Sequence, residues 1–423
     1  MRLFIFNFCF ILFLNLKKST QSYIVYPFKR STKEIKNYPE NLLQNDLEVT
    51  IKIGTPSQKV DLNLRSEYYT FFVTSSEVQL PYNTFNENNS KSLIKFSNES
   101  SSFSNQDYRR AIKISESIFI NSKQINNITL VLATELTYNE SGALGLKLIY
   151  NLDYGDDLSF IYQMKKKANL KNYAFTLKYE NDDYGQLIIG SYPHEYDKEY
   201  YENNFIFTRT GEIKKNIDWI FDFDDIKYDN KIITGIIKKS LIRIEFGLIQ
   251  APLKLKKYFN DTFFLNRCKE EYYAKRNIYI IHCDKNIDIT TFKDLSFTLK
   301  DINYIFNFNY KDLFIENNDE YIFAIVFGNN VDTPEDSTWI LGKPFMKKYQ
   351  LVFDLDRKII GLYTKNNNNN DNNNGFNIYL FLLIIAVLIV IGLVIFIVYY
   401  FQKTRKKRAC ELLDDNFDYI PTN

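Results

Sequence analysis

Between Tyr23 and Thr364 the apolar residues fall in short runs, broken by clusters of Asn, Asp, Gly and Ser. Leu47–Ile53, Val60–Leu64, Phe71–Thr74 and Ile128–Ala133 have the length and the β-branched and aromatic content of strands. Ile188–Gly190, Trp219–Phe223, Tyr321–Phe327 and Leu351–Asp354 read the same way. Long helical periods are few, so the pattern predicts an all-β protein. Two stretches predict helices, Leu158–Ala168 and, after Pro252, Leu253–Leu265.

The two ends follow other patterns. Residues 1–22 have a basic start at Arg2, an apolar run from Leu3 to Leu16 and small polar residues up to Ser22, the layout of a secretory signal peptide. Residues 376–401 form a nearly pure Leu, Ile, Val, Phe and Tyr run without charge, and roughly 20 such residues span a bilayer. Lys403, Arg405, Lys406, Lys407 and Arg408 follow it and mark the cytosolic side. The expectation is a single-pass type I membrane protein. Its ectodomain would be extracellular or in the lumen of the secretory or endolysosomal route, with a cytosolic tail over 402–423. The stretch 365–375 (KNNNNNDNNNG) has no apolar residue to bury and reads as a solvated stalk.

Composition narrows the chemistry. The net charge of +2 over 423 residues is dominated by where the cations sit, and nothing in it points to nucleic acid. There are four cysteines. Cys9 leaves with the signal and Cys410 faces the cytosol, so Cys268 and Cys283 are expected to form one disulfide. The two histidines, His194 and His282, sit in no HExxH pattern. No zinc-spaced Cys/His cluster, phosphate-binding glycine loop or GxSxG is present, so neither a metal nor a cofactor is expected. Sequons at Asn88, Asn98, Asn127, Asn139 and Asn260 predict glycosylation.

A family resemblance enters with Leu47–Val73 (LEVTIKIGTPSQKVDLNLRSEYYTFFV). This segment resembles the opening of the pepsin-like aspartic proteases, where I-G-T-P-x-Q leads through a strand to Asp-Thr-Gly-Ser and then to an apolar strand. Further similarities follow in the family's order: Ser141–Leu146 (SGALGL), Ala174–Leu177 with Gly185–Gly190 (AFTL…GQLIIG), Trp219–Ile226, the region after Cys283, Trp339–Phe345 (WILGKPF) and Leu351–Leu362. The resemblance covers Leu47 to Tyr363. It implies a bilobal pepsin-like fold with a few short helices, its lobes at 46–187 and 188–364 behind a short N-terminal segment at 23–45. It also implies a second-lobe disulfide and one catalytic aspartate from each lobe in a shared cleft.

The chemistry is where this chain departs. Aspartic proteolysis needs two carboxylates close enough to share one proton. Counting from IGTP, the first catalytic position falls on Arg65; counting back from Pro252, the second falls on Arg243. A guanidinium stays protonated and cannot act as a base. The loops read Arg65-Ser66-Glu67-Tyr68 and Arg243-Ile244-Glu245-Phe246, with glutamates where the family has glycines that allow close backbone approach. The flap region, Ile94–Ser104, lacks glycine and offers Phe96 in place of the family's tyrosine. The stretch from Tyr23 to Asn45 is short for the family's pro-segment, although Lys29, Arg30 and Lys33 are present.

Two arginines about 5 Å apart would repel by a few kcal/mol at an effective dielectric near 20. Arg65 is therefore expected to pair with Glu245, and Arg243 with Glu67, as an ionic clasp between lobes. Ser66, Tyr68, Phe96, Ile244 and Phe246 are the expected cleft-binding residues for an extended peptide or protein ligand, and a monomer is expected. Three readings of function follow. The first is a membrane-anchored pseudoprotease acting as a non-catalytic binding module. The second is an endopeptidase using Glu67 and Glu245 as a shifted carboxylate pair. The third is a structural surface glycoprotein.

Overall fold

The structure, a computed structural model, describes residues 23–31, 38–81, 83–96, 108–120, 122–137, 142–149, 158–213, 216–233, 238–265, 267–329, 338–364 and 390–405. The signal-peptide and stalk stretches and residues 406–423 of the tail lie outside them, as do Asn98 and Asn139. Residues 23–364 belong to one compact unit, and 390–405 to a second.

The first unit is mainly β. Among the described residues its strands form a 13-stranded sheet, a 12-stranded sheet and a small two-stranded one. The alternating and continuous apolar runs become these strands because their side chains fill the buried faces: Leu47, Val49, Ile51 and Ile53 of strand Leu47–Ile53 are all buried. Both predicted helices are present in altered form. Phe160–Ala168 is capped by Ser159, whose hydroxyl accepts from Tyr162 N. The second stretch passes through a 3₁₀ turn (Leu253–Leu255), an α turn (Lys256–Phe259) and a π turn (Asn260–Phe264).

Each half repeats one threaded arrangement. In the first, strand Gly142–Gly145 inserts between Gln58–Arg65, to which it runs parallel, and Phe71–Thr74, to which it is antiparallel. In the second, Thr338–Leu341 inserts in the same way between Lys239–Ile242 and Ile249–Pro252. The glycine closing each insert permits it to pass under a loop. A Cβ on Gly145 would lie 2.3 Å from Tyr69 C and 2.6 Å from Tyr68 O, and one on Gly342 would lie 2.2 Å from Leu248 O and 2.3 Å from Phe246 O. These contacts are backbone atoms of the loops that follow Arg65 and Arg243, so the glycines set the height of the loops.

The chain's last strands return to the first sheet. Val352–Asp354 pairs with Ala174–Tyr179, and Ile359–Tyr363 pairs with Phe205–Arg209. The N-terminal segment also enters it. Ile24–Arg30 pairs with Tyr184–Ile189 along its length and with Leu47–Ile53 from Phe28 onward. Pro27, which cannot donate to a ladder, falls where only the first of these neighbours is paired. The Cys268–Cys283 disulfide is present and joins two adjacent antiparallel strands.

Residues 390–405 are helical. Among the described residues no helix is long and apolar enough to cross a membrane. Residues 376–389 of the predicted span lie outside the described residues.

Gly145→Ala and Gly342→Ala are each expected to destabilise the protein by about 3 kcal/mol or more, because backbone must shift to admit the methyl group. Urea unfolding of the purified chain measures the loss, and Gly392→Ala, with nothing within 4 Å of the added carbon, is the neutral control.

Candidate functional site

The two arginines occupy equivalent places in the repeated motif. Arg65 ends strand Gln58–Arg65 opposite Gly145, and its carbonyl accepts from Leu146 N at 2.7 Å. Arg243 directly follows Ile242, which stands opposite Leu341, and its N–H donates to Leu341 O at 3.1 Å. Threading thus brings the side chains of both loops to the floor between the two sheets.

Each arginine is neutralised from within its own half. Arg65 Nη1 donates to Asp46 Oδ1 at 2.9 Å. Arg243 meets Asp218 bidentately, Nη1 to Oδ1 at 3.1 Å and Nη2 to Oδ2 at 2.8 Å, with side-chain exposures of only 15% and 7%. Asp218 also accepts from Trp219 N at 2.8 Å and lies 3.8 Å from Lys147 Nζ. Trp219 in turn donates Nε1–H to Leu146 O, just after the first half's inserted strand, at 2.8 Å.

The loops are joined by a serine and a carboxylate. Glu245 Oε2 accepts from Ser66 N at 2.9 Å and from Ser66 Oγ at 2.8 Å. Ser66 Oγ accepts in return from Ile244 N at 3.1 Å. Glu245 Oε1 lies 3.8 Å from Arg243 Nε in its own loop. Of the expected clasp, the charge of Glu67 acts on Arg243, and Glu245 crosses between the loops to Ser66. Asp46 and Asp218 are close partners of Arg65 and Arg243, and the glutamate of the second loop crosses to a serine. Asp46 and Asp218 win because each sits at the start of a strand beside its arginine, where a planar guanidinium meets a carboxylate without crossing the cleft.

This duplicated floor is the scaffold of an acid protease, and the profile of the eukaryotic aspartyl proteases matches residues 48–365. The chain belongs to the eukaryotic aspartyl protease family. Plasmepsin IV of Plasmodium falciparum is similar to it, 26% identical over 232 residues in each of two isolates of that organism. That alignment covers 53% of this chain and 46% of the plasmepsin, so the chain spans about half the length of the curated relatives it matches.

The charge state of this family member's floor follows from its contacts. Burial acts to lower the Arg243 pKa. The Asp218 charge and hydrogen bonds, followed by the charges of Glu245 and Glu67, outweigh it and hold the guanidinium above its ordinary value. Glu67 thus acts on Arg243 electrostatically, while its own side chain is exposed.

The residues expected to line the cleft are mostly sealed. Ser66 and Ile244 are fully buried, and Tyr68 and Phe246 are each 9% exposed. Tyr68 packs with Phe72, Ala111 and Val131, while Phe246 packs with Leu43, Leu248 and Ile340. Only Phe96, 56% exposed, presents a surface to a ligand. Tyr68, Ile244 and Phe246 turn into the supporting core beneath the loops. Of the sequons, Asn88 and Asn127 are exposed and Asn260 is half-buried.

The N-terminal segment supplies what sequence reasoning missed. Gln44 and Phe246 form an antiparallel bridge, Asn45 N donates to Glu245 O at 2.9 Å, and Gly247 N donates to Leu43 O at 2.8 Å. Asn45 Nδ2 donates to Ile244 O at 2.8 Å. One short stretch therefore holds the second loop and, through Asp46, the first arginine. Upstream, Glu40 accepts from Arg276 Nη2 and from Tyr273 OH, each at 2.8 Å, and lies 3.1 Å from Lys275 Nζ. Burial alone would raise the Glu40 pKa, but these donors lower it from 4.5 to about 2.

Two outcomes follow. Asp218→Asn leaves Arg243 buried without its anion and is expected to cost about 3–5 kcal/mol in urea unfolding. For Glu40 the folded pKa is depressed, so its contribution is complete above about pH 4.5 and fades as the pH falls through about 2. Hydrogen exchange at Leu43–Asp46 is expected to be faster in Glu40→Gln than in the parent at about pH 6, with the difference vanishing near pH 2.

Proposed function

We propose that this chain is a membrane-anchored pseudoprotease, a member of the aspartyl protease family that binds an extended peptide or protein segment without cutting it. The observation carrying this reading is the occupancy of the two motif-equivalent positions by Arg65 and Arg243, each engaged by a carboxylate. Proteolysis by this fold requires a proton shared between two acids. A guanidinium paired to aspartate offers neither a base nor a shared proton.

The reading that Glu67 and Glu245 form a displaced catalytic pair has less support. Glu245 spends one oxygen on two donors from Ser66 and has Arg243 Nε near the other. A ligand would instead add to the fold as an extended strand, by main-chain hydrogen bonds. Membrane attachment rests on the uncharged apolar run at 376–401 and the basic cluster behind it. The exposed apolar side chains along the helix, from Val390 to Phe401, are consistent with lipid contact.

The test uses the full-length chain in lipid nanodiscs and a library of internally quenched peptides from acidic to neutral pH, with and without a transition-state mimic of aspartic proteolysis. No turnover is expected, together with saturable binding of a subset of peptides. Turnover abolished by Glu67→Gln would replace this reading with the displaced-pair enzyme. Neither turnover nor binding would leave a structural glycoprotein.

A further inference from the structure

Away from the arginines, a cavity of about 630 Å³ opens between the N-terminal segment and the two halves of the chain. Its walls include Leu42, Leu248, Phe314, Ala324 and Pro344, which give it an apolar face. Its volume lies within the range of small-molecule sites, about 300–1,000 Å³.

The charges around it do not balance pair by pair. Four carboxylates line the cavity, and each has a cation. Asp182 lies 2.5 Å from Lys347, Asp312 2.5 Å from Lys348, Glu316 2.8 Å from Lys285 and Asp183 4.0 Å from Arg30. Lys311 and Lys343 also line it, and among the described residues no carboxylate lies within ion-pair distance of either ammonium; Lys311 is exposed to water, whereas Lys343 is half-buried. Burial pushes the Lys343 pKa below the ordinary lysine value, partly offset by the charge of Asp182. A desolvated cation without a partner is unfavourable, and an incoming anion relieves it.

We infer that this cavity is a binding site for a small amphipathic monocarboxylate, its acid on Lys343 Nζ and its hydrocarbon body against Leu42, Leu248 and Phe314. A monoanion fits better than a polyanion, because the five lining cations, Arg30, Lys311, Lys343, Lys347 and Lys348, exceed the four lining acids by one charge. The apolar wall selects against a purely polar acid. The site is separate from the cleft floor and goes beyond the peptide-binding reading, which can fail without affecting it.

The probe is 4-phenylbutyrate, titrated calorimetrically into the full-length chain in nanodiscs, with empty nanodiscs as the blank. Saturable binding is expected, weakened about tenfold or more by Lys343→Met and about as much when the acid is replaced by 4-phenylbutanol. In a second measurement on the unmodified chain, amine acylation read by mass spectrometry should show the probe protecting Lys343 and not the exposed Lys59. Absence of saturable binding, equal affinity for the acid and the alcohol, undiminished affinity in Lys343→Met, or an unprotected Lys343 would each overturn the site.

Discussion

A guanidinium carried to the floor between two sheets needs a fixed counter-charge, and Arg243 finds one in Asp218. The pair is bidentate and nearly sealed from solvent. Removing either partner strands a charge in a poorly solvated place, which is worth several times the net gain of a surface ion pair. The rest of the floor follows from this. With Arg243 held by its own strand, Glu245 is left to cross the cleft, and it meets the backbone and hydroxyl of Ser66. Arg65 repeats the solution with Asp46. The two halves repeat one backbone arrangement, and each carries an arginine paired to an aspartate at the equivalent place.

The backbone that positions these groups is a consequence of threading. A strand inserted between two others must pass beneath the loop joining them, and the clearance leaves no room for a side chain at Gly145 or Gly342. The N-terminal segment adds a third constraint. By pairing Leu43–Asn45 with the second loop and Asp46 with Arg65, it ties the two halves through a few residues. Its upstream strand is laid into the first sheet, so both ends of this segment are anchored.

Much of this was legible in the sequence because the constraints were local. Runs such as Leu47–Ile53 and Phe71–Thr74 carry their strand identity in composition, and these two strands begin and end at the predicted residues. The glycine-closed inserts and the arginines at the two motif-equivalent positions were read through the family resemblance, and the disulfide from the even pair of cysteines left after Cys9 and Cys410. Pairing partners could not be read in these ways. Asp46 and Asp218 look like ordinary acids in polar turns, and only the folded register sets them beside arginines. Tyr68 and Phe246 have the chemistry of ligand contacts, yet their backbone positions aim them into the core. Ile24–Arg30 was hidden by Pro27, which argues against a strand unless one neighbour is absent at that point.

The central claim is that the floor depends on the closed ion pair between Arg243 and Asp218. A double-mutant cycle on Arg243 and Asp218 tests it most directly, comparing urea unfolding of Arg243→Met, Asp218→Asn and the double variant. The account predicts strong coupling, about 3 kcal/mol, with the double variant no less stable than Asp218→Asn alone. Additive losses from the two substitutions would contradict it.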